Sequence, residues 1–107
     1  MPFEKRNTTR VDLWLNVVAD IKSKSKKISG KVKNLGARGM FLLTKSRMPI
    51  ATPVAVLLGF KLKDSEDLTL KAPGTVVWFN EEGMGIQFNE IDLEQFRKCV
   101  VAMVNET

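Results

Sequence analysis

The chain contains no histidine, no tyrosine and a single cysteine, and each scarcity removes a class of chemistry. Without histidine the commonest general base is missing, and neither a Ser-His-Asp nor a Cys-His nucleophile can be assembled. Cys99 has no partner for an internal disulfide, and no second cysteine or histidine exists to complete a structural zinc cage. Carboxylates remain for acid/base work, but Glu81 and Glu82 are adjacent in a turn-like segment and Glu94 falls in a helical one. The missing catalytic parts argue for a protein that is not an enzyme and carries no cofactor or metal.

Long apolar runs are scarce as well. The longest, "PIATPVAVLLGF" at 49–60, is interrupted by prolines and falls short of the ~20 residues a bilayer requires. The opening "MPFEKRNTTR" lacks the apolar stretch of a secretory signal. The expectation is a cytoplasmic protein with no membrane insertion. At 107 residues and 44% hydrophobic, the chain suffices for one packed core and one domain.

Positive charge is abundant and unevenly spread. The formal charge is +5, yet through residue 38 there are ten basic residues against three acidic, and thereafter seven against nine. A one-sided basic field attracts an anionic partner: a nucleotide, a nucleic acid or an acidic protein.

The hydrophobic pattern predicts mostly strands. In "VDLWLNVVADI", 11–21, Val11, Leu13, Leu15, Val17, Ala19 and Ile21 alternate with the other face, as in a half-buried strand. "KSKSKK" is a turn. Residues 28–35 and the short "MFLL" continue as strands on either side of "GARG", 36–39. "VAVLLGFKL", 54–62, is followed by a charged turn at 63–67. The strand at 68–79 is expected to break or bulge at Pro73-Gly74, and "NEEG" leads into "MGIQFN". The period then changes: Leu93, Phe96, Val100, Met103 and Val104 recur at helical spacing behind an Asp92/Gln95 capping pattern. The fold class is therefore all-β with a C-terminal helix at about 92–106, and six short antiparallel strands close best as a barrel. Burial in that barrel is the expectation for Trp78, with the alternative that it borders a ligand cavity. Met84, Cys99 and Met103 are expected in the core.

Two stretches do not fit the core logic. Arg6 and Arg10 form Arg-x-x-x-Arg ahead of the alternating strand, and Asn34, Gly36 and Gly39 form Asn-x-Gly-x-x-Gly at the next strand junction. With "GTVVWFNEEGMGIQF" before the helix, this order resembles the PilZ domain family. The resemblance covers nearly the whole chain and implies a six-stranded antiparallel split barrel over 11–107, with residues 1–10 as a flexible arm that clamps a ligand. The family's Arg-x-x-x-Arg and Asp/Asn-x-Ser-x-x-Gly motifs bind the bacterial second messenger cyclic di-GMP. Carried over, they assign ligand binding to Arg6, Arg10, Asn34, Gly36 and Gly39, with Lys5, Arg38 and Trp78 as further candidates. Gly36 stands where the family has serine.

The residue types suit such a ligand. A guanidinium can meet the O6 and N7 acceptors of guanine with paired hydrogen bonds and also stack on its face. The resemblance implies that Arg6 and Arg10 have no core because their partner comes from outside. The resemblance implies a cyclic di-GMP receptor that changes conformation and signals to an unidentified downstream protein in motility, pilus or biofilm control. The alternative is an adaptor of the same fold that binds protein and no nucleotide. A basic barrel that binds nucleic acid is disfavoured, since such barrels need aromatics along a strand face, and here Phe41, Phe60 and Phe88 sit in apolar runs.

Overall fold

The computed structural model describes residues 16–63 and 66–105. The expected arm, residues 1–10, and the first part of the expected first strand, 11–15, lie outside the described residues.

Six strands follow the predicted order: β1 (Val17–Lys22), β2 (Lys27–Leu35), β3 (Gly39–Leu43), β4 (Pro53–Phe60), β5 (Leu68–Phe79) and β6 (Gly83–Phe88), then the helix α1 (Leu93–Val104). All pairings are antiparallel, and they close as β1-β2-β3-β6-β5-β4 with β4 returning to β1. Among the described strands, closure leaves no edge unpaired. Side-chain alternation then sorts inside from outside: Val17, Ala19 and Ile21 of β1 are buried while Lys22 is exposed, and Val54, Val56, Leu58 and Phe60 of β4 are buried. Leu58 is completely inaccessible, so truncating it to alanine is expected to cost about 2–5 kcal/mol.

The turns have local causes. Ser23 closes the β1–β2 hairpin, its N–H donating to the Lys26 carbonyl at 2.8 Å and its Oγ accepting from the Lys26 N–H at 3.2 Å. After β4, Asp67 accepts from Lys61 Nζ at 3.1 Å and from the Leu62 N–H at 3.2 Å. Those two bonds hold its carboxyl below the usual range.

Asp92 caps α1 as predicted, its Oδ1 accepting from the N–H groups of Glu94 and Gln95 at 3.1 Å each. The inward stripe consists of Cys99 and Met103, flanked by the partly buried Phe96 and Val100, all packed on the barrel core. Leu93 and Val104, expected on that stripe, are exposed. Burial raises the pKa of Cys99, which marks a packing thiol and not a reactive one. Among the described residues no helix is long and apolar enough to cross a membrane.

One strand prediction needs correction. β5 runs without a break through Pro73-Gly74, where Pro73 pairs with Ala55 and Gly74 with Val54. Its irregularity lies further on, between Val76 and Trp78, where the register against β6 shifts. Pro73 is tolerated because its carbonyl, and with it its nitrogen, points to the β6 side, where the carbonyl accepts from Asn89 N–H at 2.8 Å just beyond the last pair of β6; the missing N–H therefore costs the β4–β5 ladder no bond.

Candidate functional site

Two bulges build a distinct surface on one side of the barrel. In β2 the register against β3 shifts between Val32 and Asn34, and in β5 it shifts against β6 between Val76 and Trp78. Val32 and Val76 are both fully buried. Strict alternation would send the residues two further on, Asn34 and Trp78, into the barrel as well. The extra residues, Lys33 and Val77, reverse the parity, and both Asn34 and Trp78 are exposed.

The two re-aimed residues stand in one row. Asn34 pairs with Phe41 of β3, Phe41 with Gly85 of β6, and Gly85 with Trp78 of β5. Trp78 and Phe41 are two strands apart, a separation of roughly 10 Å at the backbone, yet their ring centroids are 5.0 Å apart with the planes at 29°. Gly85 permits this: a Cβ there would collide with the indole, coming within 2.6 Å of Cδ1. The indole thus lies over bare backbone and against the Phe41 ring, buried beneath it at 5% exposure, while Trp78 keeps 47% of its own surface open. A flat aromatic face half open to solvent can stack a planar ligand.

Polar groups border the platform. Lys33 Nζ lies 6.0 Å from the Phe41 ring and is held by Glu82 Oε1 at 3.0 Å. The Asn34 side-chain amide is exposed and has no hydrogen-bond partner among the described residues, so both its donor and its acceptor are available.

The turn from β2 to β3 is closed by the Gly36 N–H donating to the Gly39 carbonyl at 2.9 Å. Its far side is fixed by Phe88 N–H donating to the Arg38 carbonyl at 2.8 Å, leaving the exposed Arg38 side chain without an ion pair among the described residues. The two motif glycines differ. A Cβ at Gly39 would strike the Ile86 carbonyl oxygen and lie 3.2 Å from Gln87 Cα, so Gly39 is required by the close approach of β3 to β6. A Cβ at Gly36 would meet nothing within 4 Å, and its φ is not positive. Gly36 is therefore an opening in the surface and not a demand of the backbone.

Of the predicted residues, the barrel brings Asn34, Gly36, Arg38, Gly39 and Trp78 to one side; Lys5, Arg6 and Arg10 lie outside the described residues. The expectation that Trp78 is buried in the barrel is corrected: the Val77 bulge turns it out. Phe41, read as part of an apolar run, belongs to the outer platform, whereas Phe60 and Phe88 are in the core. Gly85 was missed too, and the glycine alternation of "GMG" at 83–85 is the signal that marks it.

The sequence model of the PilZ domain matches residues 4–106. The chain belongs to the PilZ domain family. A comparison with curated proteins found no match. PilZ domains form a family of cyclic di-GMP-binding and adaptor modules, typically without catalytic activity, and the matched span takes in both arginines of the Arg-x-x-x-Arg motif.

Proposed function

We propose that this protein is a cyclic di-GMP receptor which passes its signal to a partner protein by contact. The observation that carries the reading is the row of Asn34, Phe41, Gly85 and Trp78 beside the uncrowded Gly36 turn. A guanine needs a face to stack on and partners for its O6 and N7 edge. The half-open indole supplies the first, and the unengaged Asn34 amide can donate to the second. Arg6 and Arg10 add the paired, charge-assisted contacts that suit guanine and phosphate, and the exposed Arg38 of the β2–β3 turn is a further cation for a phosphate. The setting that fits such a module is the bacterial cytoplasm, in motility, pilus or biofilm control.

The second reading, an adaptor of the same family that binds no nucleotide, is favoured by one feature, the glycine at 36 in place of serine. A calorimetric titration with cyclic di-GMP separates the two. Binding is expected, and Arg6→Ala and Arg10→Ala are each expected to weaken it by ~1–3 kcal/mol, the range of a bidentate arginine-guanine contact. Equal affinity in both variants would sink the clamp, and no heat with the parent protein would leave the adaptor. Affinity that falls steeply with salt across many phosphates would instead indicate a polyanion binder.

A further inference from the structure

The opposite side of the barrel carries a second surface that the nucleotide reading does not use. In the closed order the Asn34–Trp78 row is centred on β3 and β6, and β1 and β4 lie across from them. There a trough of about 480 Å³ runs over the outer face of β1, β4 and β5. Its floor is small and aliphatic: Ala55 and Leu57 of β4, and Pro73 of β5, which pairs with Ala55. Its rim is basic. Lys22 pairs with Ala55 from the β1 side, Lys71 pairs with Leu57 from the β5 side, and Lys27 lies directly opposite Lys22 across the first hairpin.

This charge arrangement opposes folding. Like charges directly opposite in an antiparallel pair are destabilising, and Lys22, Lys27 and Lys71 make no ion pair among the described residues. The acid in the trough lining, Asp20, lies opposite Leu57 and accepts from Ser29 Oγ at 2.5 Å; it keeps its charge, so the lining carries three cations against one anion. Among the described residues this is a net positive charge around an apolar floor, and it favours an external occupant that is both anionic and aliphatic.

We infer that this trough docks an extended acidic segment of a partner protein, with an aliphatic side chain on the Ala55–Leu57–Pro73 floor and flanking carboxylates on Lys22, Lys27 and Lys71. Charge and shape select that occupant. A second copy of the chain brings the same basic rim to a two-fold contact and is repelled. A nucleic acid satisfies the lysines but finds no aromatic in the trough on which to stack its bases. Because the trough is across the barrel from the nucleotide face, both can be filled at once.

The test uses the full chain, isotope-labelled for amide NMR, with the fluorescein-labelled octapeptide Glu-Glu-Leu-Glu-Glu-Leu-Glu-Glu as probe. Binding is expected to move the resonances of Lys22, Ala55, Leu57 and Lys71. An all-glutamate octapeptide is expected to bind at least fivefold more weakly. The double variant Lys22→Glu with Lys71→Glu should lower affinity at least tenfold, and Arg97→Glu with Lys98→Glu, the same charge change on α1, should not. Absence of binding, unmoved trough resonances, equal affinity for the two peptides, or equal loss in the α1 variant each overturns the proposal. Tighter binding of an eight-residue oligothymidylate at the same resonances also overturns it, in favour of nucleic acid.

Discussion

The two outer faces of this barrel are built by the same antiparallel pairing, yet they depart from regular geometry in opposite degrees. Around β1 and β4 the pairings run without a register shift, and the alternation puts one apolar row inside and leaves lysines, an aspartate, small residues and the aliphatic Val18 and Leu57 outside. Around β3 and β6 the two flanking strands each carry a bulge, and the outward row consists of an amide, two aromatics and a glycine. A regular strand can present only what its binary pattern dictates. Presenting Asn34 and Trp78 two residues after fully buried valines requires breaking the pattern, and it is broken on both sides of one row. The regular side needs no such break to present charge, which is what alternation leaves outside in any case.

The largest way to break the comparison acts on backbone spacing. Gly39→Ala puts a methyl against the Ile86 carbonyl, which cannot yield without moving β6, and the loss in stability is expected at the upper end of the ~1–3 kcal/mol range for overpacking. Gly59→Ala, on the β1/β4 side, puts the same methyl 3.2 Å from Val18 Cγ2, a side-chain tip that can shift. Its cost is expected below about 1 kcal/mol. Denaturant unfolding of the pair checks this, and equal losses would mean that β3 and β6 are not unusually close.

Next in size is the platform. Trp78→Ala removes a half-exposed ring, so folding should lose no more than the ~0.5–1.5 kcal/mol of an aromatic pair beyond its modest burial. Cyclic di-GMP affinity should fall by about 2 kcal/mol, within the range for a base on an aromatic ring. Leu57→Ser on the opposite face should leave that affinity alone. A calorimetric series in which Trp78→Ala binds like the parent removes the platform from the site.

What the sequence disclosed follows the same division. The strands, their order and the helix cap were legible because each rests on local chemistry: alternation in "VVADI", serine and lysine at the first turn, Asp92 ahead of an apolar helical stripe. The regular face was legible for the same reason. The bulges at Lys33 and Val77 were not, because nothing in "SGKVKNL" or "TVVWF" distinguishes an extra residue from a continued alternation. Register against the neighbouring strand decides that, and it is a property of the closed sheet. Pro73-Gly74 misled for a related reason, since a proline forbids only the donor it lacks. The candidate site was therefore visible as motif residues in the turn, while its floor, the Phe41 ring and the bare backbone of Gly85, appeared only once four strands were paired.

The smallest effect on folding belongs to Gly36→Ser, which also separates the receptor from the adaptor. Two quantities decide its outcome, the backbone conformation at 36 and the space around it. Its φ is not in the left-handed region, so a side chain carries no conformational penalty, and a Cβ meets nothing within 4 Å. Reduced freedom of the unfolded chain then predicts a stability change of zero to about +1 kcal/mol. If a ligand phosphate approaches this turn, the new hydroxyl gains a hydrogen bond to a charged acceptor, and affinity should rise about tenfold, some 1.4 kcal/mol. Melting curves and calorimetry on one protein sample read both numbers. Unchanged or raised stability with tighter cyclic di-GMP binding identifies a receptor whose turn has lost one contact; the same stability with no binding in either protein identifies a turn that no nucleotide reaches, and the adaptor reading then stands on this glycine.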